Sequence, residues 1–316
     1  MYSNNHIKEK NMKSALVTGA GSFIGYEVVR RLADMSIPTH VLVRPTSNIN
    51  RLESLPIPPQ IHTTDGSGSS LSDILNYITP EIIFHFAGAY TREEMPEDIP
   101  NLIQSNIQFS TQLLDATCRV NFDANKIKGV VNTGSYFQYF NSSNAVLNLY
   151  GATKNAFEKI AAYYSQRYNL PITTLVLFDV YGPRDWRAKL IPTIHDAQLS
   201  GKILDLPKND LILNFVHSDD AVNSFIMAAE KLIIVPKEVN LQNYAVRNDT
   251  DVRISEIVQL FEKIGQAPLH TNWGKWAAPD REIKMPWKGS TLSGWQPKIS
   301  LEEGINQLLE GNVNES

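Results

Sequence analysis

A chain of 316 residues, 42% of them hydrophobic, is long enough to bury a substantial core, in one large α/β domain or in a cofactor domain with a smaller second one. Its 29 basic and 33 acidic residues leave a formal charge of −4, which excludes a global basic field for nucleic acid or an anionic membrane. The one cysteine, Cys118, cannot form an intramolecular disulfide and lies in the apolar-patterned Leu113-Leu-Asp-Ala-Thr-Cys118, so it reads as a buried structural thiol, suited to a reducing cytoplasm.

No apolar run approaches the ~20 residues of a membrane span. Residues 1–13 lack the apolar centre of a signal peptide and are expected to form a mobile tail. From there short β-type runs alternate with helical stretches: Ala15-Leu-Val17, Phe23 to Ala33, His40-Val-Leu-Val43, Ile82-Ile-Phe-His-Phe86, Asn101 to Val120, Gly129-Val-Val131, Tyr150 to Tyr168 and Ile172 to Phe178. That alternation predicts an α/β fold, a Rossmann-type doubly wound parallel sheet over residues 14–180. Past Gly182-Pro183 it loosens, and residues 181–316 are expected to form a smaller C-terminal substrate-binding lobe, with 211–245 a candidate for re-entering the sheet. Ligands of open α/β sheets sit at the carboxyl ends of the strands, so the cleft is expected between the lobes.

The first strand runs into Gly19-Ala-Gly21-Ser22-Phe23-Ile24-Gly25, where glycine lets phosphate approach and helix amides can receive it. The second ends in Val43-Arg44-Pro45-Thr46-Ser47, without the acid that would accept ribose hydroxyls. Arg44 is open to two readings, a solvated strand-end arginine or a fork of donors for a 2′-phosphate; the second predicts NADP(H) over NAD(H), with Ser47 beside it. Asp65 is placed either to accept from the adenine amino group or to start the turn Asp65-Gly66. His85-Phe-Ala87-Gly88 ends the fourth strand in small residues, consistent with backbone passing a flat cofactor, while His85 itself reads as packed.

Ser135 follows the β-type run Val130-Val-Asn-Thr-Gly, which brings its hydroxyl to a strand's carboxyl end; Tyr150 and Lys154, four apart, share one helix face. Singly these are a turn serine and an ordinary exposed pair. Beside a nicotinamide they form a hydride-transfer site: Tyr150 moves the proton, Ser135 holds the substrate oxygen, and Lys154 lowers the phenol pKa and binds ribose. No metal is expected.

On these residues the chain resembles the extended short-chain dehydrogenase/reductase family of nucleotide-sugar epimerases, dehydratases and reductases, over about residues 14 to 308. Thr18-Gly19 to Gly25 is similar to the family's TGxxGxxG fingerprint, Asp65 to its adenine-binding aspartate, Ala87-Gly88 to its cofactor wall, and Ser135, Tyr150 and Lys154 to its catalytic trio. Leu177-Phe-Asp179-Val180-Tyr-Gly-Pro183, with Val180 on the cofactor side, Phe215-Val-His-Ser-Asp-Asp220 and Gly294-Trp-Gln-Pro297 resemble its later motifs. Three positions depart from the pattern. Ser22 stands at the middle glycine, Asp179 where many relatives have an asparagine near the diphosphate, and Leu213 in place of a phosphate-binding arginine, for which Arg184, Arg187 or Lys189 are the substitutes.

The family's dehydratases carry an acidic pair after the catalytic hydroxyl residue, whereas Tyr136-Phe137 follow Ser135, which argues against dehydration. Cys118 lies well before the Ser135 strand end, which sets aside the epimerase-reductase of fucose synthesis. Asn132 to Gln138, Tyr150 to Lys154 and Leu177 to Asp179 look like the reductases that finish CDP-paratose and CDP-abequose. That resemblance implies NADPH-dependent reduction at C4 of a nucleotide-linked 4-keto-6-deoxy or 3,6-dideoxy hexose, with Tyr90, Ser135, Gln138, Asp179, Arg187 and Lys189 as substrate contacts. An NAD-dependent 4-epimerase and a non-catalytic NADP-binding sensor or scaffold are the alternatives. Apolar residues on more than one face of the helices at Asn101–Val120 and Tyr150–Tyr168 permit pairing, and the resemblance implies a homodimer through a four-helix bundle.

Overall fold

A computed structural model describes residues 12–91, 95–121, 126–142, 145–276 and 281–311. Most of the expected tail, residues 1–11, lies outside these. Met12 is 4% exposed and the Lys13 amide donates to Glu81, so these two residues of the expected tail are packed on the fold.

The chain forms β1 (Ala15–Thr18), α1 (Phe23–Asp34), β2 (Thr39–Val43), the single turn α2 (Asn50–Glu53), β3 (Gln60–Thr63), α3 (Gly68–Ile78) and β4 (Ile82–His85). It continues through α4 (Ile99–Ile103), a π-helical turn Gln104–Phe109, α5 (Ser110–Asn121), β5 (Gly129–Ser135), α6 (Leu149–Tyr168) and β6 (Ile172–Leu177). The remainder holds β7 (Asp179–Tyr181), α7 (Leu190–Ser200), β8 (Leu204–Pro207), β9 (Ile212–Leu213), β10 (Phe215–His217), α8 (Ser218–Ile234) and α9 (Pro236–Val239). It closes with β11 (Asn243–Val246), β12 (Val252–Arg253), α10 (Ile254–Gly265), β13 (Thr271–Trp276) and α11 (Leu301–Gly311).

Seven parallel strands form the central sheet in the order β11-β6-β5-β4-β1-β2-β3. The inner strands β1 and β4 are buried along their whole length and mainly apolar because both faces of the sheet are covered there. Val17, Val41, Phe84 and Val131 pack with Val28 of α1 and Phe225 of α8. Leu16, Leu42, Ile83 and Val130 pack on the other face with Leu71 of α3, Leu113 of α5 and Phe157 of α6. Sheet order reverses between β1 and β4, whose last residues Thr18 and His85 are register partners, and this is where an open α/β sheet receives a ligand.

The second lobe is built on β8, β9 and β13 with α7, α10 and α11, around Ile191, Ile194, Leu206, Ile257, Phe261 and Ile305. Asp220, in the first turn of α8, docks the C-terminal segment: its carboxylate accepts the Lys298 and Ile299 amides at 2.9 Å, and Trp295 Nε1 donates to its carbonyl at 3.0 Å. The loop after β7 is pinned to α1 by Arg184, which donates twice to the fully buried Glu27 carboxylate at 2.7 and 3.0 Å. No helix among the described residues is long and apolar enough to cross a membrane.

Candidate active site

The β1–α1 loop is shaped by three glycines with different constraints. Gly19 has φ +68°, and a Cβ there would fall 2.5 Å from the Ala87 amide nitrogen, so the loop can cross the end of β4 only without a side chain. A Cβ on Gly25 would meet the Gly19 carbonyl oxygen at 2.3 Å, which fixes how closely α1 folds back on the loop. Gly21 has nothing within 4 Å of its would-be Cβ and faces open space. Ser22 takes an ordinary extended conformation and caps α1, its Oγ accepting the Gly25 amide at 3.2 Å. The first-turn amides at Phe23 and Ile24 project from the helix start, and the site fits a pyrophosphate in both shape and polarity. Ala87 and Gly88 form the opposite wall. A Cβ on Gly88 would lie 2.8 Å from Asn106 Oδ1 and 3.4 Å from Lys154 Nζ.

Past β2, Arg44 is exposed, and the turn is closed by its own amide donating to Ser47 Oγ at 3.0 Å. Among the described residues no ion pair is formed by Arg44. Asp65 is exposed and accepts the Ser67 amide at 2.8 Å, and the Ser67 side chain first and this amide second lower its pKa; it does start a turn, past the carboxyl end of β3. His85 is locked between Thr18 Oγ1 and Ser110 Oγ, each at 2.8 Å, and burial pulls its pKa down to about 3, so it is a neutral packing residue. Cys118 is 3% exposed, and burial pushes its thiol up to about 12.

The three chemically central side chains come together at the end of β5. Ser135 is 8% exposed and begins a 3-10 turn at Tyr136–Gln138, its Oγ accepting the Phe137 amide at 3.3 Å. Asn148 caps α6 through the Gly151 amide and starts the helix just before Tyr150. Burial pushes the Tyr150 phenol up to about 12, the Ser135 side chain opposing it. Lys154 is 6% exposed, donates from Nζ to the Thr133 carbonyl at 3.0 Å, and is pulled down to about 8 by burial, with Glu158 opposing. Lys154 was expected to lower the phenol pKa, but its ammonium is bonded to the β5 backbone, and the shift at Tyr150 is upward and comes from burial, Ser135 and Tyr90.

Around this trio, Tyr90 is 46% exposed and meets the Tyr150 ring edge-on at 5.1 Å, with Lys189 Nζ 4.4 Å from its own ring centre. Tyr136 stacks on Phe178 at 4.9 Å and donates its hydroxyl to Asp179 at 3.0 Å. Burial raises the Asp179 carboxyl, opposed by Lys189, the Tyr136 bond and Arg187. Val180 is buried in β7. Arg187 is committed elsewhere: it donates twice to Asp185 at 2.7 Å and to the Val180 carbonyl at 2.6 Å, with its guanidinium 4.6 Å from the Phe23 ring centre. Gln138, expected to face substrate, is 1% exposed, and both ends of its amide are taken by the Ser135 amide and Glu158. The 3-10 turn carries it beneath the cleft floor.

Two residues were not anticipated. Asn106, in the π-helical turn, is 2% exposed and bonds Ala89 through both backbone atoms, at 2.7 and 3.0 Å, and Thr153 Oγ1 at 2.9 Å, clamping the β4 wall to α6. Glu158, one turn beyond Lys154, accepts from Gln138 and Asn243 at 2.6 and 2.8 Å. An asparagine and a glutamate in amphipathic helices carry no spacing signal that singles them out.

The model of the NAD dependent epimerase/dehydratase family matches residues 15–241. The chain is 24% identical over 307 residues to the CDP-abequose synthase of Salmonella muenchen, a match covering 94% of this chain and 97% of that one. UDP-glucose 4-epimerase of Thermotoga maritima, solved with UDP-glucose, superposes with a TM-score of 0.81 at 20% identity, covering 96% of this chain and 99% of that one. UDP-glucuronic acid 4-epimerase from Bacillus cereus, in complex with UDP-glucuronic acid and NAD, gives 0.78 at 21% identity, covering 96% and 100%. At these identities the structural likeness is one of fold.

Proposed function

Because the chain belongs to the NAD dependent epimerase/dehydratase family, we propose that it is an NADPH-dependent reductase of the C4 keto group of a nucleotide-linked 4-keto-6-deoxy or 3,6-dideoxy hexose, serving deoxysugar biosynthesis. The observation that carries this reading is the convergence of Ser135, which acts on the buried Tyr150 phenol, with Lys154 one turn along the same helix, in a site where Tyr136-Phe137 replace an acidic pair. The likeness to CDP-abequose synthase supports the substrate class. The exposed Arg44 supports NADP(H) over NAD(H).

The nicotinamide cofactor supplies the hydride when bound, held by the Gly19–Gly25 loop, Arg44 with Ser47, Asp65, Ala87-Gly88 and Val180. A phenol near 12 is protonated at neutral pH, which is the form a reductive step requires. Tyr150 donates that proton to the oxygen that becomes the C4 hydroxyl, and Ser135 holds the same oxygen. The Lys154 ammonium compensates the negative charge left on Tyr150. Lys189, whose Nζ lies 4.4 Å from the Tyr90 ring centre and which acts on the buried Asp179 carboxyl, is placed to receive the diphosphate.

NADPH oxidation assayed against CDP-, dTDP-, GDP- and UDP-linked 4-keto-6-deoxy sugars tests the reading, with product configuration at C4 read by NMR. The expected result is stoichiometric oxidation with at least one of them. Interconversion of fully reduced sugars without net loss of NADPH would instead establish the 4-epimerase, the activity named for the two structural neighbours.

A further inference from the structure

Glu158 lies on α6 one turn beyond Lys154 and two beyond Tyr150. One carboxylate oxygen accepts Gln138 Nε2 at 2.6 Å and the other accepts Asn243 Nδ2 at 2.8 Å. Each donor leads on to a different part of the site. Gln138 Oε1 accepts the Ser135 amide at 2.7 Å, which closes the 3-10 turn on the residue whose side chain acts on the Tyr150 phenol. Asn243, at the start of β11, also donates to the Tyr139 hydroxyl at 2.8 Å and so ties the far end of that turn to the outer strand of the sheet.

Both donors are neutral amides, so the carboxylate's charge is not matched where its hydrogen bonds are made. The cations acting on it are Lys154 and Lys159, both on α6, and Lys159 is exposed. Around Lys154 the neighbours from other elements are uncharged: His85 of β4, held neutral, the Thr133 carbonyl of β5 and Asn106 of the π-helical turn. Tyr150, from its own helix, is a protonated phenol at neutral pH. Glu158 is the one carboxylate among the described residues found to act on Lys154.

We propose that Glu158 is a positioning residue for the hydride-transfer site, its carboxylate anchoring Ser135 through Gln138 and serving as the counter-charge of Lys154. The inference rests on the reductase reading for its catalytic consequence, while its electrostatic half is measurable without turnover. Glutamine at 158 would turn one acceptor into a donor facing the amide of Gln138 or Asn243, and it would remove the charge opposite Lys154.

The test is a titration of the Lys154 ε-carbon by NMR in protein labelled with ε-13C lysine, the resonance assigned by Lys154→Arg, in wild type, Glu158→Gln and Asn243→Leu. The wild-type midpoint is expected near about 8. Glu158→Gln should move it down by ~0.5–1 unit and move the alkaline limb of the kcat profile with it, whereas Asn243→Leu, which keeps the charge, should leave it in place. Gln138→Leu should lower kcat by ~10-fold without moving the Lys154 midpoint, since it cuts only the arm to Ser135. An unmoved Lys154 midpoint in Glu158→Gln, or an unchanged kcat in Gln138→Leu, overturns the proposal. If Glu158→Gln does not fold, Glu158→Asp, which keeps the charge on a shorter stem, should hold the midpoint and lower kcat; an unchanged kcat there also overturns it. Inactivity of the wild type towards every keto-sugar would defeat the reductase reading and still leave the titration to decide the electrostatic claim.

Discussion

At the scale of single residues the site combines a phenol made less acidic with an amine made less basic, both by burial. Tyr150→Phe removes the transferable proton but keeps the ring that packs against Tyr90 and Phe137. It should reduce turnover by ~10²–10⁴-fold with cofactor affinity unchanged, as measured by steady-state kinetics and fluorescence titration. Lys154 has the opposite balance between stability and activity. Its folded pKa of about 8 lies below the 10.5 of an unburied lysine, so between those values the unfolded chain holds more protons and stability rises with pH; below 8 the burial penalty is fully present. Lys154→Met should therefore abolish turnover yet raise stability at pH 7 by about 1–2 kcal/mol, the loss of the bond to Thr133 offsetting part of the gain, as read by urea unfolding. The same ionisation predicts that wild-type reduction falls as pH rises through about 8. At Arg44 the expectation is selective: Arg44→Ala should raise the KM for NADPH ~10-fold or more while leaving that for NADH little changed. An equal change for both cofactors would remove Arg44 from 2′-phosphate recognition.

Among the elements, the β1–α1 loop separates a folding role from a binding role. Gly25→Ala brings a methyl against the Gly19 carbonyl and should destabilise the protein by about 1–3 kcal/mol even without ligand. Gly21→Ala meets nothing, so its melting temperature without ligand should stay near that of the wild type while dinucleotide affinity drops; calorimetry with and without NADPH distinguishes the two. This loop was readable from sequence because a positive φ and close backbone crossings leave glycine as the residue that fits, and Ser22 fits because a helix N-cap accepts serine. Ser135 was readable from its place after an apolar run. The turn that follows was not: three residues on, Gln138 reads as a neighbour in the cleft, but the 3-10 geometry rotates it under the sheet to Glu158. Asn106 was equally hidden, because its position depends on a π-helical turn whose cause is tertiary, the clamp between Ala89 and Thr153. Among the cations, spacing alone did not distinguish Arg184 and Arg187, each committed to a carboxylate, from Lys189.

For the whole molecule, α4 and α6 pack together and still expose large apolar side chains, among them Ile99, Ile103 and Tyr163 at 45, 41 and 57%. We propose that these surfaces pair in a homodimer. Sedimentation at micromolar concentration should give twice the 35.5 kDa of one chain, and Tyr163→Glu should shift the protein towards monomer. A wild-type monomer would sink the idea. The lobes themselves are joined by particular contacts: Glu27 with Arg184, and Asp220 with the Trp295–Ile299 segment. The motif residues His217-Ser-Asp-Asp220 and Gly294-Trp-Gln-Pro297 look unrelated along the chain, yet they are two halves of that second contact.

The position of β11 bears on how such proteins can be recombined. The outermost strand of the cofactor sheet is made by residues that follow much of the second lobe in the chain, and it brings Asn243 to the catalytic helix. A fragment cut after residue 180 would leave the edge of β6 bare and is expected to aggregate. A chimaera that exchanges the substrate lobe with a relative must therefore cross over three times, keeping residues 218–247, α8 to β11, with the sheet they complete, or the transplanted specificity would arrive with a dismantled catalytic floor.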